Sequence, residues 1–210
     1  MKGLYFKFAL ERSTASRLLF ALILEGCASA PRRVVSSPAP PPPPPPVRVA
    51  FRAQSDSFST ARDDYDAIWR AEGRRIVETM ERVSGLRFDS PPYADTSIVA
   101  VVFEGVSNSG YRDDPMHLRA SYPPDTKKAT LVHELGHRLQ VGVARPGDDE
   151  HEVLFLWLYD TWVALWGRQF ADEQVLVERA RRGPYPKAWD DALALDSAGR
   201  AARFRALRTR

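Results

Sequence analysis

Ala129-Thr130-Leu131-Val132-His133-Glu134-Leu135-Gly136-His137-Arg138-Leu139 is the stretch on which the reading of this chain turns. Four residues make slightly more than one helical turn, so on a helix His133 and His137 project from the same face. Leu131, Leu135 and Leu139 then supply an apolar stripe on the opposite side. The flanks carry helix punctuation. Pro123-Pro124-Asp125 precedes the stretch, Asp125 or Thr126 can cap it, and Gly142 stops it just after Gln140. Two imidazoles on one face can ligate a single Zn²⁺ at about 2.0–2.1 Å each. Glu134 would reach beside such a metal rather than onto it, placed as a general base toward metal-bound water. Gly136 breaks a local rule, because glycine inside a helix costs about 1 kcal/mol relative to alanine. It therefore predicts a close neighbour. The bland alternative is a helix carrying two histidines and no metal.

A third ligand has to come from further along. Asp148-Asp149-Glu150-His151-Glu152 opens a second helix whose body, Val153 to Trp166, is apolar nearly all round and so reads as buried. His151 is the favoured third ligand, because three of the four histidines fall within residues 133–151. Glu152 and Glu150 remain alternatives, and acidic residues at a helix start are also favourable with its dipole. Asp160, in the middle of the apolar helix, needs a partner, either a ligand histidine or an arginine. Tyr159 and His117 are candidates to steady an oxyanion; a core tyrosine and a solvated surface histidine are the plain readings of the same residues. Trp157, Trp162 and Trp166 read as core.

Working outward, the pattern gives a short strand around Val47–Arg52 and a helix over 63–83 ended by Gly85. Ser97–Phe103 is β-branched and apolar, a central strand. Met116–Tyr122 alternates apolar and polar, and Pro115 favours an edge position for it. Phe170–Val177 and Trp189–Leu195 suggest two further helices, separated by Pro184-Tyr185-Pro186. The arginines at 200, 203, 205, 208 and 210 make 198–210 a basic C-terminal segment, expected to be exposed and able to meet anionic lipid.

On the H-E-x-x-H of His133, Glu134 and His137, within its capped helix after a polar-faced strand, the chain resembles the zincin metallopeptidases over residues 60–170. It is most similar to small members with a minimal catalytic domain. The resemblance implies an α+β fold: a small mixed sheet with an edge strand over an active-site helix, then a mostly helical C-terminal part with the third ligand. It also implies a zinc-dependent hydrolase acting on a peptide or protein substrate. Arg138 departs from the family pattern, where an uncharged residue is usual, but on a helix it points away from the metal face. Val143 stands where a longer version of the motif has its third histidine, so members of that kind are excluded. The competing class is a non-catalytic envelope lipoprotein with a structural or binding zinc, and Glu134 separates the two, since a closed structural site has no use for a base.

The N-terminus reads as an address. Lys2, Lys7, Arg12 and Arg17 precede the apolar run Leu18–Leu24, which is too short to cross a bilayer in a helix of about 20 residues but suits a secretory signal. Leu24-Glu25-Gly26-Cys27 resembles the lipobox of bacterial lipoproteins, with Glu25 as a departure. That resemblance implies cleavage of a 1–26 signal peptide, lipid on Cys27 and a place in the cell envelope, at the outer membrane facing the periplasm. Residues 27–47 form a proline-rich linker with Pro40–Pro46 uninterrupted. A run without amide donors makes neither helix nor ladder and extends as polyproline II, a spacer or a ligand for a proline-binding domain. The folded domain then spans 48–197.

Composition bounds the rest. In 210 residues, 44% hydrophobic and 27% charged side chains exclude disorder of the whole chain and a multi-span membrane protein. The net charge of +3, carried partly by the basic leader, is too small to make nucleic acid a main partner. The single cysteine excludes an internal disulfide and a cysteine-rich zinc site.

Overall fold

The computed structural model describes residues 45–91, 94–110, 113–145 and 147–209. The leader 1–26, Cys27 and the linker as far as residue 44 lie outside the described residues. Among those described, the fold is α+β and mostly helical: a three-stranded sheet and six α-helices. No helix among them is long and apolar enough to cross a membrane.

Strand β1 (Arg48–Ala53) leads through a short 3-10 turn into α1 (Ser59–Ser84), which starts earlier than its apolar spacing suggests. It ends where expected, at Gly85, whose φ of 67° puts the last turn into the left-handed region. Strand β2 (Ser97–Phe103) is central and β3 (Met116–Arg119) is an edge, in the order β1-β2-β3. Val49, Ile98, Ala100, Val102, Met116 and Leu118 line the buried face.

The sheet is parallel throughout rather than mixed. Alternation in sequence fixes which side chains share a face but not the direction of a strand. Here the segment between β2 and β3 makes its own return leg: Asn108 and His117 exchange backbone hydrogen bonds of 3.0 and 2.8 Å in an isolated antiparallel bridge. That leg occupies the outer edge of β3 and lets β3 run alongside β2. Strand β3 also stops at Arg119, short of the expected Tyr122.

Helix α2 (Pro124–Leu139) contains the H-E-x-x-H stretch. Its start is set by Pro124 in the first turn rather than by a side-chain cap from Asp125 or Thr126. Helix α3 (Glu150–Trp166) begins at a true cap, with Asp149 accepting from the His151 amide at 2.9 Å. Its body is the centre of the core, with Leu154, Phe155, Trp157, Leu158 and Trp162 fully enclosed. Helices α4 (Arg168–Arg179), α5 (Tyr185–Leu193) and α6 (Ser197–Arg208) pack around it.

The basic C-terminal segment forms a helix that docks by one face, while Arg203, Arg205 and Arg208 stay exposed. Arg200 and Phe204 of α6 are buried, and Arg208 donates to the Ser84 carbonyl at 2.9 Å. The reason is Asp160: its two carboxylate oxygens each accept from Arg200 at 2.8 Å, so the carboxylate inside α3 draws α6 onto it. Asp160 thus has an arginine partner, not a ligand histidine.

Candidate metal centre

Two helices, α2 and α3, place the histidines. His133 and His137 lie one turn apart on α2, and their Nε2 atoms face each other at 3.2 Å. His151 sits in the first turn of α3, its ring centroid 5.5 Å from that of His133 and 4.8 Å from that of His137. One nitrogen from each of the three rings lies within 4.8 Å of the others, close enough to hold a metal ion.

What brings α3 so near is Gly136. A Cβ there would stand 2.6 Å from Cδ1 of Leu154 and 3.2 Å from Cη2 of Trp157, so a larger residue would have to push these side chains aside. Gln140 ties the same corner: it donates to the Glu150 carbonyl at 2.9 Å and accepts from the Trp157 indole at 3.4 Å. Arg138, on the far side of α2, is buried and holds the 105–115 segment. It donates to the carbonyls of Ser109 (2.7 Å) and Asp114 (2.5 Å) and pairs with Asp95 at 2.8 Å. Arg138 is therefore a brace.

Among the described residues, Nδ1 of His133 and Nδ1 of His137 are buried without an aligned hydrogen-bond partner. Each faces a carboxylate all the same: Glu178 Oε1 lies 2.8 Å from His133, and Glu150 Oε2 3.3 Å from His137. Glu178, on α4, is only 2% exposed, and it also accepts from the Trp189 indole at 3.0 Å. Burial works to raise its pKa, but the His133 imidazole and Arg181 outweigh it and hold the carboxyl below its usual range. Burial likewise works to lower His133, and Glu178 outweighs it. His151 is pushed down to about 4 by burial and by the two neighbouring rings, so it is neutral with a lone pair to offer.

Glu134 is 3% exposed and stands outside the three-histidine cluster. Burial raises its carboxyl above the ordinary range, opposed by His133, His137 and Arg181. Tyr185, the first residue of α5, closes the back of the site. Its ring is 4.3 Å from His151 and lies nearly parallel to His133 at 6.0 Å.

The other sequence candidates lie elsewhere. Tyr159 donates to Asp172 at 2.6 Å and accepts from Arg168, on the α4 side of α3, so it is no oxyanion donor. His117 stays with its own edge, packed on Phe103 and 3.3 Å from the Asn108 amide oxygen. Glu152 pairs with Lys187 at 2.9 Å, and Glu150 turns to His137 instead of joining the cluster. Glu178, Arg181 and Tyr185 were not singled out from sequence. A signal did exist for Glu178, which shares a buried face of α4 with Ala171, Gln174 and Val175 at helical spacing. Tyr185, between two prolines, offered none.

An opening of about 240 Å³ adjoins the cluster, lined by Ser109, Gly110, His137, Gln140 and Glu150 among others. Compared with known proteins, the chain matches no family, no curated protein and no solved structure.

Proposed function

We propose that the chain is a zinc-dependent hydrolase, a peptidase of the zincin type working in the bacterial cell envelope. One observation carries the reading: the facing Nε2 atoms of His133 and His137 at 3.2 Å, with the buried Glu134 on the same turn. Two nitrogens each about 2.0–2.1 Å from a tetrahedral zinc lie about 3.3–3.4 Å apart, so the spacing suits that ion. His133, His137 and His151 would hold it. Three imidazoles are a donor set zinc accepts, and they would leave one of four positions for solvent or substrate.

A zinc held there would supply Lewis acidity, drawing the pKa of water toward about 7 and polarising a carbonyl. Glu134 takes the proton from water and returns it to the leaving amine. Its burial suits that work, since a carboxyl with a raised pKa is the stronger base. Glu178 fixes the His133 ring through Nδ1 and keeps Nε2 aimed inward. The substrate approaches from the His137 side, because Asn108 already pairs with the edge of β3 at His117.

The envelope setting is supported by the basic leader, the apolar run and the Leu24-Glu25-Gly26-Cys27 sequence, with lipid on Cys27 as the membrane anchor and the proline run as spacer. The test is zinc content and peptide cleavage by the purified chain and its Glu134→Gln form. Bound zinc with cleavage lost only in the variant supports the reading. Bound zinc with no cleavage in either form would favour a binding lipoprotein, and absence of zinc would remove both.

A further inference from the structure

Arg181 lies in the loop between α4 and α5, its side chain 22% exposed, and the charge on it reaches both His133 and Glu134. Two tyrosines flank it. One is Tyr122, just before α2, whose hydroxyl accepts from Nη2 at 3.4 Å; the other is Tyr185, whose ring centroid is 5.3 Å from the guanidinium. A hydroxyl that accepts from a guanidinium still has its own proton to donate. The nearby acceptor is Glu178, but its Oε1 is 4.0 Å from Arg181 and turned to His133, and its Oε2 takes the Trp189 proton. The corner beside Glu134 therefore brings a partly exposed guanidinium and two tyrosine hydroxyls together, with the Glu178 carboxylate behind them.

We propose that Arg181, Tyr122 and Tyr185 form a subsite for a carboxylate of the substrate. The proposal rests on the hydrolase reading of the neighbouring centre for its place in a reaction, but not for the binding itself. A planar guanidinium with two hydroxyls matches a carboxylate's two oxygens, which accept several hydrogen bonds at once. The group comes from a peptide C-terminus or from an acidic side chain. Either makes the enzyme selective for short or acidic peptides rather than for any extended chain.

The experiment is calorimetric titration of the full chain, zinc-loaded and metal-free, with Ala-Ala-Phe, its C-terminal amide, and Ala-Glu-Phe amide. The free acid is expected to bind about ten- to a hundredfold more tightly than the amide in both metal states, the scale of one hydrogen bond to a charged group. Arg181→Met is expected to abolish that ratio with zinc stoichiometry unchanged, and Arg181→Lys to restore part of it. Tyr122→Phe and Tyr185→Phe each reduce it, which keeps the test open if Arg181→Met does not fold. Rescue by the glutamate peptide assigns the subsite to side chains; rescue by the free terminus alone assigns it to C-termini. Equal binding of acid and amide, or an unchanged ratio in Arg181→Met, overturns the proposal. Because the metal-free arm needs no turnover, a failed hydrolase reading leaves the carboxylate preference measurable, and a failed preference leaves the hydrolase reading standing.

Discussion

Helix α3 brings polar groups into the interior at two places, and they are built differently. At Asp160 both carboxylate oxygens accept from Arg200 at 2.8 Å, and Arg200 also donates to the Leu195 carbonyl at 2.6 Å. At His151 the neighbours are two further imidazoles, and one nitrogen from each of the three rings lies within 4.8 Å of the others. The first cluster closes on itself through opposite charges, whereas the second gathers three ring donors of one kind, a set that suits a shared cation. Both clusters sit on the same helix, so variants in each separate stability from chemistry.

The largest effect belongs to the chemistry. Glu134→Gln should lower kcat by about 10²- to 10⁴-fold, the usual worth of a general base, with one zinc retained and the melting temperature nearly unchanged. Peptide-cleavage kinetics beside elemental analysis check this. At the other cluster, Arg200→Ala should destabilise by about 3 kcal/mol, toward the low end for breaking a buried ion pair because Asp160 keeps some solvent contact. Urea unfolding of the zinc-loaded protein reads it, and the surviving folded fraction should still bind zinc one to one. Equal loss of zinc in Arg200→Ala and in a metal-ligand variant would erase the distinction between the clusters.

Smaller effects sharpen the boundary. Glu178→Gln should weaken zinc about 10- to 100-fold, as expected for the group that orients a ligand histidine, measured by competition with a chromogenic chelator. Gly136→Ala should cost about 1–2 kcal/mol, since overpacking against Leu154 and Trp157 exceeds the gain in helix propensity. Pushing α3 away should also loosen His151, so zinc affinity should fall along with stability. A stabilised Gly136→Ala with unchanged affinity would mean that the close approach does not position the third ligand.

How much was legible follows from the range of each interaction. His133, Glu134 and His137 are local, one turn of one helix, and spacing alone places them. Gly136 was readable as a contact, but not its partners, because Leu154 and Trp157 come from another element. His151 was recoverable from the crowding of histidines near the motif. Glu178 and Tyr185 lie more than 40 residues from His133, and only the packing of α4 and α5 brings them in. Strand direction was hidden for a similar reason. A parallel β3 depends on the Asn108 return leg, which no alternation pattern encodes. In the basic C-terminal run Arg203, Arg205 and Arg208 are exposed as expected, but Arg200 is drawn inside by Asp160, 40 residues upstream, a partner the local charge count does not contain.

Elemental analysis and X-ray absorption of the natively purified chain test the central claim most directly. The account predicts one zinc per chain with three imidazole nitrogens at about 2.0–2.1 Å and one oxygen ligand from solvent, lost in His133→Ala. Metal-free native protein, or zinc retained unchanged in that variant, would contradict it.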